Sequence, residues 1–207
     1  MTSPYRLALL TDPPTWCGMA LSGRSLDLLT ALAGSRDARM SDGALIEALW
    51  PDDTPVRPLR ALHVVVSRVR AAVGEGVVER SGDGYRLALP KTDVDVRDLS
   101  DRAERARVCA VAGQWEQVLG LTDSLPQVPA CADADDTLGA GATPVARLRE
   151  RAARQAEEAR RDRGLALEAA GEHERAAALL REASQCDSGD ETVLAALMRA
   201  ESWVRSP

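Results

Sequence analysis

The chain has 207 residues, a formal net charge of −6, 45% hydrophobic residues, 3% aromatic residues and no Phe. That length suits two domains of about 100 residues each, with cores built from Leu, Val and Ala. No apolar run reaches the roughly 18 residues of a transmembrane helix, and MTSPYRLALLTDPP lacks the full charged and apolar layout of a signal peptide; a cytoplasmic protein is expected.

The N-terminal stretch TDPPTWCGMALSG holds two prolines and little alternation, so its strands are poorly written. The pattern sharpens at residue 41. Ser41 and Asp42 can cap a helix running through Trp50, with Leu45, Ile46, Leu49 and Trp50 as its apolar face. PDDTPVR, Pro51–Arg57, reads as a loop. Pro58 then suits a first helical turn, and Gly74 suits the C-terminal cap. Between them Leu59, Leu62, Val66, Val69 and Val73 fall within an arc of roughly 80° at helical periodicity, which predicts a buried stripe. Arg57, Arg60, His63, Ser67, Arg68 and Arg70 lie outside that arc. Val77–Arg80 and Tyr85–Leu89 then alternate as two short strands around the turn Ser81-Gly82-Asp83-Gly84. This is a helix-turn-helix with a β-hairpin wing.

Residues 57–91 carry seven positive side chains against three negative ones, inside an acidic protein. Many surface helices carry arginines only to stay solvated. Here a major groove about 12 Å wide admits one such helix, and a basic hairpin follows it. That combination fits duplex DNA. Arginine outnumbers lysine 25 to 1 throughout the chain, so the ratio itself says nothing about phosphate.

Residues 1–92 hold 11 Lys+Arg against 10 Asp+Glu, and residues 93–207 hold 15 against 22. The charge shift and the end of the wing place a boundary near Pro90–Val94, giving domains 1–92 and 93–207. A duplex would repel the acidic half. That half is helical: Val94–Ala112, Trp115–Leu125, and a helix opened by Thr143 and Pro144. Glu150–Arg154 and Glu157–Arg161 are spaced as i,i+4 pairs. Residues 126–144, rich in Pro, Gly, Ala and Asp, read as a mobile loop, and its Asp133–Asp136 as a solvated run.

ARVCAVAGQWEQVLGLTDSL and RGLALEAAGEHERAAALLREA align with Gly113 on Gly171, Trp115 on His173, Val118 on Ala176 and Leu125 on Ala183. Two tetratricopeptide-like turns would give this pattern, and so would any Ala-rich helical hairpins. About five helices fit in the second half.

ALIEALWPDD, LHVVVSRVRAAVG and the GYRL of the wing resemble the winged helix of OmpR-type response regulators. The arrangement is closest to the Streptomyces antibiotic regulatory protein (SARP) family, which lacks the receiver domain and adds a helical bacterial transcriptional activator domain. The resemblance covers the whole chain in outline and is specific over residues 44–89. It implies a mainly α fold with small β sheets, a winged helix-turn-helix followed by a tetratricopeptide-like domain. It further implies a transcription activator that binds promoter repeats and contacts RNA polymerase, and is compatible with a homodimer on repeated sites. The family's recognition-helix positions fall on Arg60, His63, Ser67, Arg68 and Arg70, with Arg57 at the entry, and the wing arginine on Arg86. The polymerase-contact loop falls on Pro51, Asp52, Asp53 and Thr54. Ser67 stands where OmpR-like relatives often hold a basic residue. The family's activator domain usually runs further, so the chain reads as a small member or as a piece of a longer regulator.

Enzyme motifs are missing: no P-loop, GxGxxG or GxSxG occurs. His63 and His173, the two histidines, stand in no nucleophile arrangement. Cys17, Cys109, Cys131 and Cys186 lack metal-ligand spacing and read as reduced, buried thiols. No cofactor and no metal are expected. The competing reading is a helical adaptor whose winged helix binds protein alone.

Overall fold

The structure is a computed structural model that describes residues 3–128, 143–186 and 188–204. Most of the expected loop 126–144, with Asp133–Asp136 and Cys131, lies outside the described residues.

The chain forms two compact units. The first holds residues 3–98 together with 126–128 and 143–151; the second holds 99–125 and the described part of 152–207. Helices α4 (Asp95–Val111) and α6 (Pro144–Ala169) contribute residues to both. The first unit therefore runs past residue 92, the boundary suggested by charge.

The first unit opens with a small antiparallel meander, β1 (Leu7–Ala8), β2 (Thr15–Trp16) and β3 (Met19–Ala20). These strands are two residues long, too short to show alternation. Burial is what marks them: Leu7, Ala8, Leu9 and Leu10 are inaccessible to solvent. Asp95 at the start of α4 accepts from the N–H groups of Leu9 and Leu10 at 3.0 and 2.8 Å, and Arg149 of α6 donates to the carbonyls of Leu9 and Thr11. Strand ends that would otherwise leave backbone groups unpaired in an apolar core are thereby satisfied. Burial raises the pKa of Asp95, and the N–H groups of Leu10, Leu9 and Val96 oppose the shift.

Next come α1 (Gly23–Gly34), β4 (Arg39–Ser41), α2 (Asp42–Leu49), α3 (Pro58–Val73), β5 (Val78–Ser81) and β6 (Gly84–Leu87). The Ser41 side chain accepts from Ala44 N–H, and Gly74 closes α3. Leu28, Leu29, Leu32, Leu45, Leu49 and Leu62 form a solvent-free leucine core, which is how a chain without Phe fills its interior. The buried stripe of α3 is Leu62, Val65, Val66, Val69 and Val73. Leu59 was expected in it and is instead 52% exposed. It lies in the first turn at the edge of the predicted arc, and Val65 on the other edge takes the buried place.

The second sheet has the order β4-β6-β5, all antiparallel. Gly84 permits the close approach of β4 and β6, since a Cβ there would lie 1.9 Å from the Met40 carbonyl oxygen. Tyr85 is a core ring beneath the wing, 6% exposed.

The second unit is helical: α4 from Leu99 onward, α5 (Trp115–Thr122), α6 from Ala152 onward, α7 (His173–Cys186) and α8 (Glu191–Val204). Its repeat appears in the backbone bonds. Gly113 and Gly171 have φ of 69° and 80°, the left-handed conformation that a side chain would strain. Each N–H returns to the carbonyl three residues back, and the following N–H, of Gln114 or Glu172, returns five residues, to Cys109 or Leu167. The two helix ends have the same closure. Val118 and Ala176, aligned in sequence, are both fully buried. Thr143 caps α6 through Ala146 N–H. Arg161 pairs with Asp190 at 2.6 Å and with Asp162 at 2.9 Å, not with Glu157. Of the described cysteines, all free, Cys109 is buried as expected, whereas Cys17 and Cys186 are exposed. No helix among the described residues is long and apolar enough to cross a membrane.

Candidate nucleic-acid interface

Helix α3 presents its free side opposite the valine stripe. Arg60, Val64, Ser67 and Ala71, at spacings of four, three and four, form the centre of that face, and each is exposed. His63 flanks the line on one side, Arg57 and Arg68 on the other, all exposed. Among the described residues none of Arg57, Arg60 and Arg68 has a carboxylate within ion-pair distance. No side-chain cap occupies the helix N-terminus, so its first N–H groups point outward with the positive end of the helix dipole.

The arginines around the second sheet, Arg39, Arg70, Arg80 and Arg86, are engaged. Arg70 is half-buried; its Nε donates to the Val78 carbonyl at 2.8 Å, and its guanidinium lies 5.8 Å from the Tyr85 ring centroid. It fastens α3 to β5. Arg80 grips Asp42 with two bonds of 2.8 and 2.9 Å and lies 4.9 Å from the same ring. The Asp42 bond raises the Arg80 pKa above its ordinary value. Arg86, on the middle strand, is exposed and bonded to Glu79 at 2.5 and 3.0 Å. Its neighbour across β4 is Arg39, which bonds Asp83 at 3.1 Å.

The predicted positions therefore separate. Arg57, Arg60, His63, Ser67 and Arg68 share the outward side of α3. Arg70 turns toward the wing, and Arg86 lies on the sheet in an ion pair. Arg70 falls outside the apolar arc on a helical wheel, so periodicity cannot tell its half-buried position from an outward one. Pro51, Asp52, Asp53 and Thr54 are exposed between α2 and α3, followed by the fully exposed Val56. Two further residues, Val64 and Arg39, lie exposed on α3 and on β4. Val64, an apolar residue outside the buried arc, is its own signal in the sequence. Arg39 has none, because a three-residue strand leaves no periodicity.

The helical unit has a groove of about 840 Å³ lined in part by Trp115, Leu165, Leu179 and Ala183. Charges on its rim pair with one another: Arg161 with Asp190 and Asp162, and Arg107 with Glu158 at 3.9 Å.

Residues 18–87 match the family described as Transcriptional regulatory protein, C terminal. The chain is 30% identical over 137 residues to Regulatory protein AfsR of Streptomyces griseus, covering 60% of this chain and 14% of that one. It is 31% identical over 104 residues to Regulatory protein AfsR of Streptomyces coelicolor, covering 46% and 10%. The chain thus spans a small fraction of the length of these relatives. Its fold is similar to that of Mycobacterium tuberculosis EmbR, solved in complex with a low-affinity phosphopeptide, with a TM-score of 0.68 and 22% identity over 94% of this chain and 54% of that one. The matched segment runs from the β2–β3 turn to the end of β6. Residues 18–87 fold as a winged helix and match the transcriptional regulatory protein C-terminal family, and the chain is similar over part of its length to the AfsR regulatory proteins.

Proposed function

We propose that this chain is a sequence-specific, duplex-DNA-binding activator of transcription. Helix α3 enters the major groove, where Arg60, His63 and Ser67 meet base edges. Arg57 and Arg68 hold the flanking phosphates and set the register. Arg70 acts from behind, holding the wing against α3, and Arg86 reaches phosphate only by giving up Glu79. The exposed Pro51–Thr54 loop, or the helical unit, engages RNA polymerase. The observation that carries this reading is the set of unpaired arginines on one side of α3, while the wing arginines are engaged within the protein. The match of residues 18–87 to a transcriptional regulatory family and the name of the AfsR relatives support a regulatory role.

The test has two stages. A random duplex pool is first enriched on the protein and the selected site titrated beside scrambled DNA. Tighter binding to the selected site, weakening steeply with salt, is expected. Transcription from a promoter carrying that site is then measured with purified polymerase, where the protein should raise the yield and Asp52→Ala/Asp53→Ala should lower it with DNA affinity unchanged. Absence of any salt-dependent DNA binding would favour the adaptor reading.

A further inference from the structure

Val64 stands out on the DNA-facing side of α3. It lies four residues after Arg60 and three before Ser67, and it is 45% exposed. Its neighbours Val65 and Val66 are buried and complete the core stripe, so the core makes no demand on position 64. A β-branched residue is a poorer helix former than Ala, and an exposed valine gains nothing from burial. Scattered exposed apolar residues are ordinary on protein surfaces. This one differs in where it sits, at the centre of a helix face flanked by Arg57, Arg60 and Arg68, which have no ion-pair partner among the described residues.

A major groove offers one apolar group to such a side chain, the C5-methyl of thymine. Valine's branched side chain has little rotamer freedom in a helix, so its methyls are presented in a nearly fixed direction and little entropy is lost on contact. Bases and phosphates surrounding the contact would remove both methyl surfaces from water.

We propose that Val64 is a specificity-determining residue that reads the C5-methyl of a thymine. The proposal rests on the DNA-binding reading above. The spacing also sets a register. Arg60 and Val64 are separated by about 6 Å along the helix axis, and base pairs rise about 3.4 Å. The thymine therefore lies about two base pairs from the pair read by Arg60.

The test uses the full chain and the duplex selected from a random pool. Each thymine in turn is replaced by deoxyuridine, which removes the methyl and keeps the pairing edges. One thymine per bound copy should respond, with affinity falling about fourfold, as expected for one buried methyl. Val64→Ala should weaken the unmodified site by a similar factor and lose its response to deoxyuridine at that position. Ala favours the helix, and circular dichroism of the variant confirms that it is folded. Val64→Thr, which trades a methyl for a hydroxyl, should also lose affinity for the thymine site. A selected site with no thymine under α3, indifference of the wild type to deoxyuridine, or an equal response of Val64→Ala would each overturn the proposal while leaving DNA binding intact. Failure to select any duplex would instead remove the DNA reading on which it rests.

Discussion

Two groups of arginines lie within one winged helix in opposite states. Arg57, Arg60 and Arg68 on α3 have no carboxylate partner among the described residues. Arg39, Arg70, Arg80 and Arg86, around the second sheet, are bonded to Asp83, the Val78 carbonyl, Asp42 and Glu79. A count of charges treats the groups alike. Pairing separates cations that a phosphate can meet at little cost from cations that must first leave a partner. The exposed Arg86–Glu79 bond is the weaker restraint, since exposed pairs are worth about 0–1 kcal/mol. The Arg70 bond to backbone is the stronger, because the Val78 residue it serves is buried.

The largest effect should come from isolating α3 with too little support. A fragment of residues 1–92 keeps both groups of arginines but loses Asp95 and Arg149. The Leu9 and Leu10 N–H groups are left without acceptors in a solvent-free core, at about 1–3 kcal/mol each. That fragment should melt well below the intact chain in a thermal scan, and a separate 1–98 fragment, which restores Asp95, should recover part of the loss. Equal melting of the two fragments would show that Asp95 does not support the sheet.

Arg60→Ala should cost about 1–3 kcal/mol on the selected site and less on random DNA, as for a base contact. Equal losses on both would assign Arg60 to phosphate. Arg70→Met should act the other way, lowering stability by about 1–3 kcal/mol because the Val78 carbonyl loses its donor. Its effect on DNA affinity should follow the unfolded fraction; affinity lost with melting unchanged would place Arg70 among the DNA contacts.

These contrasts also mark what the sequence discloses. The supporting helix, α3, the wing turn and the helices opening at Val94, Trp115 and Thr143 follow from periodicity and capping, and the Gly113–Gly171 alignment reappears as identical helix closures. The N-terminal sheet was faint because two-residue strands have no period and their support comes from Asp95 and Arg149, 85 to 140 residues distant. The outward positions of Arg60, His63, Ser67 and Arg68 were legible from the apolar arc alone. The engagement of Arg70 and Arg86 was not, because it depends on which residues of the folded wing lie across from them.

A smaller effect is expected at Arg86. Arg86→Ala should flatten the salt dependence of binding by less than the roughly 0.9 unit of a full phosphate contact, and Glu79→Gln should tighten binding slightly. A full unit lost with Arg86 would show that the ion pair opens completely on DNA.

The smallest effect concerns acid. Arg199 holds the Glu168 carboxyl below its ordinary pKa, and Arg161 does the same for Asp190. Their contribution to stability is present above the ordinary carboxylate range and is lost as pH falls through the depressed folded values. Asp95 is shifted upward by burial, so protonation on the way down from neutral pH favours the fold. Arg199→Gln should flatten the loss of stability below about pH 4, followed by chemical denaturation across pH. An unchanged acid limb would show that the Glu168 pair contributes nothing there.

The salt dependence of DNA binding by the Arg57→Ala/Arg60→Ala/Arg68→Ala chain, set beside the wild type, tests the central claim most directly. The account predicts an unchanged melting temperature and a slope of log affinity against log salt flatter by about two units, from the two phosphate contacts of Arg57 and Arg68, with selection for the specific site lost through Arg60. The same slope and the same preference as the wild type would contradict it, because the α3 face would then not be the surface that meets DNA.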